Sequence, residues 1–164
     1  MKLIVSALAL LMMTGILSGQ DEAVIAEQQR KYQENILKEE INGVYIPVDI
    51  NDAMVQLNII ANEESRAKLI GADEEIVVER LSRGLGKWMI SNWNFYEGSR
   101  LSHSLKGLGV SLPIDMASFL IRTYYLQLNE LPLNIEERAA VIYEQRKKEQ
   151  EERNKNQKIR VIPN

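Results

Sequence analysis

The sequence predicts an all-α fold: a compact bundle of five or six short helices over residues 44–143, with charged helical extensions at both ends. Three observations predict it. Apolar residues recur at steps of three and four, most clearly at Ile114, Ala117, Ile121, Tyr124 and Leu128. Side chains suited to capping a helix, at Asp49 or Asn51, Asn62, Asp73 and Ser99, stand just before such runs. No sustained apolar–polar alternation of the kind a half-buried strand needs follows the N-terminal segment.

The chain opens MKLIVSALALLMMTGILSGQDE. Lys2 precedes an apolar run, Leu3 to Leu17, broken only by Ser6, Thr14 and Gly15, and small residues precede a polar switch at Gln20. This is the layout of a secretory signal peptide over residues 1–19, cleaved after Gly19 or Gln20. The run falls short of the ~20 residues a spanning helix needs. The expected location is exported, periplasmic or extracellular, with no membrane span after cleavage. There is no cysteine, so the fold has neither a disulfide nor a cysteine-linked lipid anchor.

Residues 20–43 read as a charged, helical leader with thinly spaced Ile25, Tyr32 and Ile36, ending in the turn pair Asn42-Gly43. Pro47 keeps Ile46 extended. The next helix places Ala53, Met54, Leu57 and Ile60 on one face, and a short one follows from Asn62 towards Gly71. Asp73 starts a third, with Ile76, Val77 and Leu81 inward, and Gly84 and Gly86 are expected to interrupt it. A fourth carries Trp88, Met89 and Trp93. Ser99 starts a fifth through Leu101, Leu105 and Leu108. Pro113 opens the clearest helix, and Asn134-x-x-Glu137 resembles a capping box for the last. Residues 144–164 form a tail in which Glu144–Lys148, Glu149–Arg153 and Glu151–Lys155 stand at i,i+4 in the favourable order.

Composition narrows the chemistry. The formal net charge is −3, a poor match to nucleic acid, whose phosphates demand a basic surface. One histidine and no cysteine exclude the common multi-His and Cys metal sites, and neither metal nor cofactor is expected. Gly84-Leu85-Gly86-Lys87 is not a phosphate loop. The Walker pattern needs glycine where Leu81 stands and Ser or Thr where Trp88 stands. The glycines instead allow two helices to pack closely.

Candidate site residues cluster between Gly86 and Asp115. The aromatic group Trp88, Trp93, Phe95 and Tyr96 suits a core, because aromatics bury large areas. Trp93 and Tyr96 could alternatively line a binding groove with Arg100, whose guanidinium fork suits a carboxylate or phosphate. As a structural residue, Arg100 would clamp to Glu97 or Asp115. For catalysis the candidates are Glu97, His103 and Asp115. Two carboxylates can perform glycoside hydrolysis only at a defined separation of about 5–10 Å.

The stretch GLGKWMISNWNFYEGSRLSHSLKGLGVSLPIDMASFLIRTYYLQLN resembles a bacterial domain-of-unknown-function family, number 6794. The likeness rests on Trp88 to Trp93, Ser99-Arg100-Leu101, the helix start from Gly109-Val110 to Met116, and Tyr124-Tyr125 to Asn129. It spans roughly residues 46–143. Ile114 stands where the resemblance implies an acidic residue, and Tyr125 where it implies histidine. The family implies a compact domain and no established activity. The expected function is binding of a protein or envelope component. The alternatives are a small hydrolase acting on glycan or peptide, and a scaffold part that docks through the charged terminal helix.

Overall fold

A computed structural model describes residues 21–160 of the chain, so the expected signal peptide lies outside the described residues. Helix α1 occupies residues 21–35. A two-stranded hairpin follows, β1 (Glu40–Ile41) and β2 (Val44–Tyr45). Then come α2 (Ile50–Ile60), α3 (Glu63–Ala67), α4 (Glu74–Leu81), a π-helical turn (Ser82–Gly86), α5 (Lys87–Asn92), α6 (Arg100–Gly107), α7 (Pro113–Leu128) and α8 (Ile135–Arg160). The class is all-α, with the hairpin as a small addition that the sequence reading did not include. Its turn, however, is the expected Asn42-Gly43. Both residues have positive φ, +52° and +77°, as a two-residue loop matched to strand twist requires. Two residues per strand are too few for alternation to show in the sequence.

The caps fall where side-chain chemistry places them. Asp49 accepts from the Asp52 amide at 2.9 Å, Asn62 from Ser65 at 2.8 Å and Asp73 from Ile76 at 3.0 Å. Ser99 and Ser102 form a reciprocal capping box on α6. Asn134 departs from expectation. Its φ is +42°, not the extended backbone usual at an N-cap.

Helix α7 is the centre of the molecule. Met116, Ala117, Phe119, Leu120, Ile121 and Tyr124 are buried along it. They share one core with Met54 and Leu57 of α2, Val78 of α4, Met89 and Ile90 of α5, and Leu101 and Leu105 of α6. Gly84 and Gly86 do not break the chain. The helix runs from α4 into α5 through the π turn, a one-residue widening that re-phases the faces. A Cβ on Gly86 would stand 3.5 Å from Ile121 and 3.7 Å from Ala117, so its bareness seats this helix against α7. Three residues expected on inward faces are corrected. Ile76 is 65% exposed while Val77 and Val78 turn inward, and Ile60 and Ile114 are solvent-facing at helix ends.

Candidate functional site

Within the buried span of α7, from Met116 to Leu126, only Ser118 and Arg122 escape full burial, and Asp115 lies one turn before them. Steps of three and four put the three on one stripe, which faces α8. From α8, Glu137, Arg138, Val141 and Ile142 meet that stripe, and Asn134 closes one end. Between the helices lies a cleft of about 480 Å³.

Arg138 dominates its chemistry. The guanidinium lies 4.7 Å from the centre of the Phe119 ring, a cation–π arrangement. It donates to the carbonyls of Leu133 (3.0 Å) and Phe119 (3.2 Å) and to the Thr123 hydroxyl (3.2 Å). All of these partners are neutral, and among the described residues no carboxylate pairs with it. Burial pushes the guanidinium below its ordinary value and the nearby Arg122 charge adds to the effect, while Glu74, without touching it, opposes both. Arg122 is differently placed. It is half-buried and pairs with Glu74 and, at 2.8 Å, with Glu75 on α4. Burial opposes its charge, but the two glutamates outweigh this and raise its affinity for the proton.

Asp115 is taken up by Arg146, whose Nε and Nη2 reach its two oxygens at 2.7 and 2.6 Å. This bidentate pair ties α8 to the first turn of α7, where an acidic group also suits the helix dipole.

The residues expected from sequence are placed as follows. Trp93 is 1% exposed and packs edge-on against Trp88 at 5.6 Å. Tyr96 is 78% exposed. The two therefore do not form one aromatic wall: past the end of α5 the chain buries Trp93 and Phe95 and turns Tyr96 out. Arg100 contacts neither Glu97 nor Asp115. Its Nε donates to the Ile46 carbonyl at 2.7 Å, its guanidinium lies 5.0 Å from the Tyr45 ring centre, and Glu39 is a looser partner at 3.8 Å. The clamp exists, but with partners on the hairpin side. Glu97 pairs with Lys31 at 3.0 Å, and His103 Nδ1 shares a 3.0 Å hydrogen bond with the Tyr32 hydroxyl. The three catalytic candidates are thus engaged separately, Glu97 and His103 by α1 and Asp115 by α8. Tyr125 is buried and donates to the Ala72 carbonyl at 2.6 Å. Among the described residues no group of three or more His, Asp or Glu is arranged to hold a metal, and no helix is long and apolar enough to cross a membrane.

Sequence reasoning missed Arg122 and Arg138. The signal was a lone charge inside an apolar pattern: Arg122 interrupts the run from Met116 to Leu126, and Arg138 shares a face with Ile135 and Ile142.

A family model described as Domain of unknown function (DUF6794) matches residues 46–128, just over half of the chain. The chain belongs to that family. No curated protein and no solved structure matches. The matched segment ends with α7, so it contains Arg122 and Asp115 but not their neighbours Arg138 and Arg146. It likewise contains Glu97, Arg100 and His103, whereas Lys31, Tyr32, Glu39 and Tyr45 precede it.

Proposed function

We propose that this member of the DUF6794 family is an exported binding module, and that the α7–α8 cleft receives a carboxylate carried on an apolar group of a protein or envelope component. One observation carries the reading: Arg138 is a partly buried cation with only neutral partners, set on an aromatic ring beside an apolar wall. Among the described residues no carboxylate touches this guanidinium, Glu74 acting on it only at a distance; removing a cation from water without a contacting counter-charge is costly, and an incoming anion recovers that cost. Ile142 and Val141 supply contact for the apolar body. Arg122 is already held by two glutamates and is not assigned to the ligand.

The ligand chemistry makes the test direct. N-acetylphenylalanine offers a carboxylate on an aromatic body, and N-acetylphenylalaninamide removes only the charge. Calorimetric titration is expected to show binding of the acid at about millimolar strength, as suits a fragment of this size, with the amide at least tenfold weaker. Equal binding of the two, or none of the acid, contradicts the proposal.

A further inference from the structure

The contact between α1 and α6 has the form of a receptor for one kind of side chain. Gly98 has φ +95°, and a Cβ there would fall 2.2 Å from Cδ2 and 2.7 Å from Cε2 of Tyr32. The Tyr32 ring therefore lies directly on glycine backbone. The Lys106 ammonium stands 4.5 Å from the ring centre, and His103 meets the ring edge-on at 6.2 Å while its Nδ1 engages the hydroxyl at 3.0 Å. Floor, cation and hydroxyl partner each read a different feature of tyrosine: flatness, the negative ring face and the phenol oxygen. The Lys31–Glu97 ion pair closes one side. Burial raises the Tyr32 phenol and lowers the Lys106 ammonium relative to their ordinary values, consistent with a partly dry contact.

The three reading groups lie inside the family segment, residues 46–128, and Tyr32 lies outside it. Socket and plug thus belong to different parts of the chain. The plug stands near the end of a helix whose preceding residues, 21–31, are solvent-exposed throughout. We infer that Gly98, His103 and Lys106 form a tyrosine socket, that Tyr32 plugs it in cis, and that a tyrosine-bearing helical segment of a partner protein docks by displacing α1. This surface is separate from the α7–α8 cleft and does not depend on it.

The test uses the full chain with Tyr32→Ala and, as probe, a fluorescent peptide copying residues 27–37. A plug tethered by a short linker acts at an effective concentration of about millimolar. The peptide should therefore bind the Tyr32→Ala protein and bind the wild type at least tenfold more weakly. A peptide with phenylalanine in place of tyrosine lacks the hydroxyl contact and should bind Tyr32→Ala about 2- to 10-fold more weakly than the tyrosine peptide. No binding to the folded Tyr32→Ala protein, equal binding of both peptides, or equal binding to wild type overturns the inference. Should Tyr32→Ala fail to fold, hydrogen exchange on Tyr32→Phe decides. Faster exchange confined to residues 28–36, with α7 unchanged, supports a hydroxyl-read plug, and unchanged exchange there refutes it.

Discussion

Replacing Trp93 by alanine tests how the helical core is held. Trp93 is buried to 1% exposure, and its indole touches Trp88 at 5.6 Å and Phe95 at 6.4 Å between ring centres. Loss of a fully buried tryptophan costs about 3–5 kcal/mol, the transfer term and the cavity together. The site has little freedom to collapse. Met89, Leu101, Leu105 and Met116, in the same core, are themselves fully buried. The upper part of that range therefore applies. For a chain of this size each kcal/mol lowers the melting temperature by about 3 °C, so Trp93→Ala should melt about 12–15 °C below wild type. The half-buried Trp88 should lose clearly less on the same change. Thermal melts followed by far-ultraviolet circular dichroism measure both. A Trp93→Ala protein that melts within about 2 °C of wild type refutes the packing argument. So does a Trp88→Ala protein that loses more than Trp93→Ala.

Other consequences can be measured in parallel. Arg100→Lys keeps the charge but not the planar fork that lies over Tyr45 while bonding the Ile46 carbonyl; it should lower the melting temperature by a few degrees without any ligand, and unchanged melting would remove Arg100 from the structural account. Asp115→Asn leaves Arg146 only Glu149, a partner on its own helix, and removes the ion pair that ties α8 to α7, so amide exchange in α8 from Tyr143 onward should quicken while α2 stays protected; no change in α8 would show that the ion pair does not hold the helix. Export with cleavage predicts a mature N-terminus at Gln20 or Asp21 by intact mass, and an uncleaved chain in the membrane fraction would contradict it.

Much of the fold could be read from the chain because its determinants are local. Caps need one short side chain three residues ahead of an amide, which is how Asp49, Asn62, Asp73 and Ser99 declared themselves. Helix α7 was visible through its own periodicity. Ile60 and Ile114 were misplaced because they stand at helix ends, and Ile76 because its facing depends on phase. Once the π turn adds its extra residue, which of Ile76, Val77 and Val78 faces inward is decided by the seat of Gly86 on α7, not by spacing. Site residues were harder still. Arg100, Glu97, His103 and Asp115 were recognisable as chemistry, but their partners lie on Ile46, Lys31, Tyr32 and Arg146. Pairings over such separations are set by how the arms fold back. Arg138 was the least legible. Its place on one face with Ile135 and Ile142 is masked by the charged neighbours Glu136 and Glu137, and the approach of Phe119 is what gives it meaning.

The binding proposal rests on Arg138 meeting an anion, and nitrogen-detected nuclear magnetic resonance of arginine side chains observes that group itself. N-acetylphenylalanine should shift the Arg138 Nε–Hε signal, together with the backbone amides of Ser118 and Val141, saturating at about millimolar probe as expected for a fragment; Arg100 and Arg146 signals should stay in place, and N-acetylphenylalaninamide should leave Arg138 unmoved. An Arg138 signal that does not respond to the acid, or that responds equally to the amide, contradicts the account.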